Sequence, residues 1–293
     1  MQLQIGNRVI GDGCQPFYVA EIGQNHNGDV YHAIRLVGAA ERAGVDAVKF
    51  QLRDAEREFL PEVLAAPHPD PQHAYGETYG EHRKALDLTV SDLHHIQYRI
   101  KYNNWRAQMY ATPCHQSCIE PLFNMDMPAY KIASKDIRNI ELIEGVARIG
   151  KPVILSTGMC DVGDLGRAID AVRKFHNQLI VMQCVSMYPC PLEYAALAAI
   201  ETIRNEYDCL VGYSDHSGFM EAGSWAVQRG ACMVEAHITS VHGQRGTDHA
   251  CSIPVADLRH AVYLTRMSHL ASQGRSWISP TDATQEVREK IGA

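Results

Sequence analysis

The 293-residue chain lacks any long apolar run. Nothing in it approaches the roughly 18 consecutive apolar residues of a membrane span, and its start, MQLQIGNRVIG, has neither the basic segment nor the hydrophobic stretch of a signal peptide. A membrane partner is therefore not expected, and the expected compartment is cytoplasmic. A basic surplus is also missing: 27 Lys and Arg against 34 Asp and Glu give a net charge of −7, with no basic cluster. This disfavours nucleic acid, and any anionic substrate must be met by local cations rather than by the field of the whole protein. No C-x-x-C pair, H-x-H or H-E-x-x-H occurs, so zinc-finger and zinc-hydrolase arrangements are excluded. A Gly-rich dinucleotide fingerprint is absent as well.

What is present is ordinary globular composition, 46% hydrophobic and 21% charged, in a length that suits one large domain or two small ones. Of the nine cysteines, Cys184, Cys209 and Cys232 lie in or beside apolar runs and read as buried, reduced thiols. Cys114 and Cys118 stand four apart at a helix start, and His94-His95 sits within a helical stretch where packing or solvation accounts for it.

Leu3, Ile5 and Val9 around Gly6-Asn7 predict a small hairpin. Short apolar runs then predict strands at Phe17–Ile22, Ala47–Phe50, Ala107–Thr112, Ala129–Ala133, Val153–Thr157, Leu179–Val185, Leu210–Tyr213 and Cys232–Ile238. Helical patterns fall between them, near Val30–Ala43, Val90–Asn103, His115–Met125, Ile140–Ile149, Val162–Phe175, Tyr194–Glu206 and Gly218–Arg229, with a last one at Val255–Ser272. Asp29 is the expected N-cap of the first helix and Gly44 its stop. From Arg53 to Ala85, Pro61, Pro67, Pro69, Pro71, Gly76 and Gly80 predict a long helix-free excursion. Its Tyr75, Tyr79, His82 and Arg83 either close over a site or form an aromatic cluster of their own. Eight β/α steps predict an α/β fold, a closed (β/α)8 TIM barrel with a short N-terminal β-hairpin, as a single domain over residues 1–272 followed by a polar tail at 273–293.

In such a barrel the active site forms where the strands end. The polar residues there are Glu21; Lys49 and Gln51; Thr112; Lys131, Ser134 and Asp136; Ser156 and Thr157; Ser186 and Tyr188; Ser214 and His216; and Glu235, His237 and Thr239. His216 and His237, 21 residues apart, end adjacent strands. They make a candidate two-histidine metal site with positions open to water and substrate. The rival for either one is a packed core or capping histidine. Lys49 and Lys131, with hydroxyls around them, resemble a clamp for phosphate and carboxylate. Two other assignments stay open for the lysines: a Schiff-base lysine, and a salt bridge within the barrel.

The segments AEIGQNHNGD, AERAGVDAVKFQ, ATP, YKIAS, GKPVILSTGM, C-x-x-x-YPCP, VGYSDHS and VEAHIT resemble the N-acetylneuraminate (sialic acid) synthase family, in order, from about residue 17 to 260. The resemblance implies condensation of phosphoenolpyruvate with an aldose resembling N-acetylmannosamine, giving a 2-keto-3-deoxy sugar acid and phosphate. It further implies a divalent metal, Mn²⁺ first and Mg²⁺ or Co²⁺ as alternatives, on His216 and His237. Lys49, Thr112, Lys131, Ser134, Ser156, Ser186 and Ser214 would surround phosphoenolpyruvate, while Glu21, Gln51, Tyr188 and Asp248 would face the sugar. Asp136 would be the acid/base carboxylate, in Ser134-Lys135-Asp136 where relatives have an S-G-E-like segment, and Ser186 stands where asparagine is common. Relatives continue into a small antifreeze-like domain that contributes to the partner's sugar site, and this chain ends before it. A homodimer is expected, or a separate polypeptide completing the sugar site. The alternatives are a pyruvate-type aldolase or lyase of the same fold and a non-catalytic sugar-phosphate-binding protein.

Overall fold

The computed structural model describes residues 1–273 and 282–291. The hairpin pairs β1 (Gln2–Ile5) antiparallel with β2 (Arg8–Gly11). Eight strands follow: β3 (Phe17–Glu21), β4 (Ala47–Leu52), β5 (Gln108–Pro113), β6 (Tyr130–Ile132), β7 (Val153–Ser156), β8 (Leu179–Cys184), β9 (Leu210–Asp215) and β10 (Met233–Thr239). They pair in parallel in chain order, and β10 pairs with both β9 and β3, which closes the barrel. A two-residue strand, β11 (Ile253–Pro254), adds to β10. Every residue of β3, β7, β8, β9 and β10 is buried. That is why these segments read as continuous apolar runs: one face fills the barrel and the other lies under helices.

The helices are α1 (Val30–Ala43), α2 (Ala55–Glu58), α3 (Pro61–Ala65), α4 (Tyr79–Leu86), α5 (Val90–Tyr102), α6 (Ile119–Asn124), α7 (Ile140–Ala147), α8 (Val162–Arg173), α9 (Ala199–Tyr207), α10 (Ala222–Gln228), α11 (Leu258–Ser272) and α12 (Asp282–Ile291). α1 begins and ends as its caps require. Asp29 accepts a hydrogen bond from the Tyr31 N–H at 2.8 Å, and Gly44, at φ 84°, donates back to the carbonyls of Ala40 and Glu41. Its Ala33, Leu36, Val37 and Ala40 are buried, and each larger side chain of this kind contributes about 1.5–3 kcal/mol. Among the described residues no helix is long and apolar enough to cross a membrane. Of the tail expected over 273–293, α12 is described, and residues 274–281 and 292–293 lie outside the described residues.

The hairpin closes the end of the barrel opposite the site. Ile5 and Ile10 are fully buried, and Gln108, at the start of β5, donates to the Ile5 carbonyl at 3.1 Å and to Asn7 at 3.0 Å. Asp46, just before β4, accepts from the Tyr18 N–H at 2.9 Å and pairs with Arg8 and Arg266, so one buried carboxylate ties hairpin, barrel and α11 together.

The excursion departs from expectation, for it carries α2, α3, α4 and a 3₁₀ turn at Pro71–His73. Pro61 and Pro71 stand in the first turns of their elements, where a missing N–H costs nothing, so they start helices rather than prevent them. α4 begins on a capping box in which Thr78 and Glu81 each accept the other's backbone N–H at 3.2 Å. Several helices are shorter than the periodicity suggests, among them α6, α9 and α10. α9 starts only after Ala196 has taken a positive φ of 51°. α10 starts after a turn in which Asp215 accepts from the Ser217 hydroxyl and from the N–H groups of Ser217 and Gly218.

Candidate active site

Strand side chains alternate with period two, so Lys49 and Gln51, Tyr110 and Thr112, and Glu235 and His237 point into the barrel together. All of these but Tyr110 line a cavity of about 520 Å³ at the carboxyl ends of the strands. All the site residues expected from the sequence line this cavity except Asp136, Thr157 and Thr239.

Its floor is a buried chain of charges. Lys49 Nζ lies 2.8 Å from Glu21 Oε2 and 3.8 Å from Glu235 Oε1, and Lys131 pairs closely with the same Glu235 oxygen. Ser214 donates to Glu235 at 3.0 Å, and Gln51 donates to Glu21 at 3.2 Å. Burial alone would neutralise these groups. For Lys49 it acts downward but is outweighed by Glu21 and Glu235, so the ammonium is held above its ordinary value. For Glu235 burial acts upward but Lys131 and Lys49 overcome it, leaving the carboxyl well below the usual range. Lys49 thus stays protonated, and one carboxylate is shared between the two lysines.

A hydroxyl wall rises on the β6–β8 side. The Gly158 N–H donates to Ser134 Oγ at 3.1 Å, and a Cβ at residue 158 would lie 2.4 Å from Ser186 Oγ and 2.8 Å from Ser134 Oγ. Glycine is required there because the two hydroxyls occupy the space a side chain would need. With Ser156 on β7 they line the same cavity as the two lysines.

Across the cavity, His216 and His237 have ring centroids 5.4 Å apart, and the Tyr188 ring stacks on His216 at 4.2 Å. His216 donates from Nδ1 to the Val185 carbonyl at 2.7 Å, which fixes its tautomer and leaves Nε2 as an acceptor, 4.0 Å from the Cys184 thiol. Burial, with His237 beside it, lowers its pKa to about 3, so the ring is neutral at physiological pH. His237 Nδ1 is buried without a hydrogen-bond partner, 3.7 Å from Asp248 Oδ2. Burial would raise Asp248, but His237, Thr247 and Gln24 keep it ionised. The neutral His216 imidazole and the His237 ring with its orphaned nitrogen, beside a carboxylate, form a donor set suited to a divalent cation. Among the described residues there is no preformed group of three or more such ligands, so further positions would fall to water or substrate oxygens.

Asp136 is turned away. It shares one 3₁₀ turn with Ser134 and Lys135, and three residues of such a turn face three directions. Its carboxylate lies 2.9 Å from Lys135 Nζ, and burial raises its pKa against the pull of that lysine. Four polar cavity residues were not anticipated: Arg53, Gln24, Lys135 and Thr247. Arg53 carried a signal, since it continues the inward period of Lys49 and Gln51 one step past β4. It donates to Gln51 at 2.9 Å and pairs with Glu58 of α2. Of the excursion residues, Tyr79 and His82 stack with His68 in a cluster of their own, whereas Arg83 donates to the cavity residue Gln24 at 2.9 Å.

Comparison with known proteins agrees with this geometry. The chain is 34% identical over 297 residues to an uncharacterised protein of Methanocaldococcus jannaschii, covering 100% of this chain and 83% of the relative. It is 32% identical over 266 residues to the N,N'-diacetyllegionaminic acid synthase of Legionella pneumophila, covering 89% of this chain and 74% of that enzyme. The crystal structure of a sialic acid synthetase from Leptospira borgpetersenii superposes with a TM-score of 0.86 at 29% identity, covering 100% of this chain and 97% of the other. The NeuB family model matches residues 36–276. By fold, cavity and sequence, this chain belongs to the NeuB family.

Proposed function

We propose that this protein condenses phosphoenolpyruvate with an aldose resembling N-acetylmannosamine to form a 2-keto-3-deoxy sugar acid and inorganic phosphate. The observation that carries the reading is the shared carboxylate: Glu235 holds two buried ammonium groups in one cavity opposite the Gly158 hydroxyl wall. Lys49 and Lys131 are then in place for the carboxylate and phosphate of phosphoenolpyruvate. The names of relatives, among them a legionaminic and a pseudaminic acid synthase, support a sugar-acid product.

In this assignment the hydroxyls of Ser134, Ser156, Ser186 and Ser214, with Thr112, orient the phosphoenolpyruvate. Gln51, Tyr188 and Asp248 orient the aldose. C3 of phosphoenolpyruvate bonds to the aldehyde carbon, whose oxygen takes up a proton, while water adds at C2. Glu21, held between Gln51 and Lys49, accepts one proton of that water and passes it to the former aldehyde oxygen, and the C2–O bond to phosphate then breaks, the remaining hydroxyl proton leaving with the phosphate and the ketone staying behind. His216 and His237 would hold a divalent cation, Mn²⁺ in the first instance, which when bound supplies Lewis-acid polarisation of the aldehyde. Asp136 has no part in this scheme. Phosphate release from phosphoenolpyruvate, measured with Mn²⁺ across N-acylated and plain hexoses and pentoses, is the test. Release that depends on one aldose supports the reading, and none across the panel overturns it.

A further inference from the structure

The excursion after β4 reaches the cavity through one buried line of contacts. Arg83 of α4 has a relative exposure of 3% and spends two of its nitrogens on Asp87, leaving Nη1 to donate to Gln24 Oε1 at 2.9 Å. A guanidinium has no acceptor, so Gln24 must present its oxygen to Arg83 and its NH₂ to the other side. There the amide donates to Asp248 Oδ2 at 3.4 Å and to Thr247 Oγ1 at 3.5 Å. Asp248 Oδ2 is the oxygen that faces His237 Nδ1. The same excursion grips the neighbouring loop at two further points. Tyr75 donates its hydroxyl to the Arg245 carbonyl at 2.6 Å while the Arg245 guanidinium lies 4.8 Å over its ring, and the Gly246 N–H donates to His73 at 3.0 Å.

We infer that Arg83 is a positioning residue for aldose binding: through Gln24 it fixes the orientation of the Asp248 carboxylate and holds the Gly243–Asp248 loop against the cavity. The inference rests on the proposed function for its substrate, but its structural half stands without turnover. With Arg83 replaced by methionine, the Gln24 amide is free to rotate and turn its oxygen toward Asp248, acceptor against acceptor. Arg83→Lys retains a donor, and Gln24→Glu places a second carboxylate beside Asp248 while keeping an acceptor for Arg83.

The experiment combines steady-state kinetics with hydrogen–deuterium exchange on the intact chain. The expected result for Arg83→Met is an aldose KM raised on the order of tenfold, the scale of one hydrogen bond to a charged group, with the KM for phosphoenolpyruvate and kcat within about twofold. Amide exchange at 243–248 should quicken while the barrel strands keep their protection, Arg83→Lys should restore most of both, and Gln24→Glu should raise the aldose KM alone. An unchanged aldose KM, a parallel loss for both substrates, or faster exchange throughout the barrel overturns the inference. If the unaltered protein turns over no aldose, the proposed function fails, and exchange at 243–248 alone decides whether Arg83 holds the loop.

Discussion

Ser134 and Ser186 face each other across Gly158 so closely that no side chain fits between them. Gly158→Ala would place its methyl 2.4 Å from one hydroxyl oxygen and 2.8 Å from the other, so the wall must open. The φ of residue 158 is not in the left-handed region, so the cost comes from crowding rather than from the backbone. The expected outcome is a KM for phosphoenolpyruvate at least tenfold higher, with the aldose KM little changed and a loss of about 1–3 kcal/mol in stability from overpacking. Kinetics with each substrate varied in turn, beside a urea melt, check it. Equal effects on both substrates would remove the hydroxyl wall from the phosphoenolpyruvate site.

Glu235 carries the floor. Removing it leaves Lys49 and Lys131, each with a side-chain exposure of 5%, short of their shared counter-ion. Breaking a buried pair from one side typically costs about 3–5 kcal/mol, and Glu235→Ala should fall in that range by chemical denaturation. The double variant with Lys131→Met should cost less than the two single changes added together, because the second removes the charge that the first left unpaired. Additive losses would show that the pair is not energetically coupled.

Much of this site was open to inspection in the sequence. Lys49, Gln51, Glu235 and His237 follow from strand periodicity alone. That Glu235 takes both lysines does not, because Lys131 and Glu235 are 104 residues apart and meet only when the barrel closes. Asp136 shows the opposite failure: residue type and spacing pointed to the cavity, and a 3₁₀ turn rotated the side chain out of it. The excursion departs from the sequence expectation because Pro61 and Pro71 start helical turns rather than break them. Arg83 was noticed as a residue that could close over the site, but its partner Gln24 lies 59 positions away in a loop and has no periodic signature.

The excursion also predicts an acid response. His82 accepts the Tyr75 N–H at Nδ1, and its ring lies 4.3 Å from His68, with Tyr75, Tyr79, Arg83 and Arg245 as further neighbours. Burial, aided by His68, Arg83 and Arg245, lowers its pKa from 6.5 to about 4. Because the folded value lies below the unfolded one, the stabilisation is complete above pH 6.5 and declines as the pH falls toward 4. Limited proteolysis within 53–88 should therefore quicken over that window before the barrel melts, and His82→Gln should flatten the dependence. A pH-independent cleavage rate would rule the response out.

The last prediction separates the proposed condensation from a lyase that works through a lysine imine. Imine formation needs a neutral amine, and the Lys49 ammonium is stabilised by Glu21 at 2.8 Å and Glu235 at 3.8 Å. Lys131 is buried against the same Glu235 carboxylate, where no substrate carbonyl can replace that partner without leaving Glu235 short of one of its two lysines. Borohydride reduction in the presence of pyruvate should thus leave the intact mass unchanged, and pyruvate should not replace phosphoenolpyruvate in turnover. In parallel, His237→Ala should weaken Mn²⁺ binding, read by titration of the free ion, while the thermal midpoint stays close to that of the unaltered protein. A reduced adduct on Lys131 would replace the condensation reading with an aldolase. Unchanged Mn²⁺ affinity would take the metal away from His237, because its orphaned nitrogen is the feature that argues for a cation there.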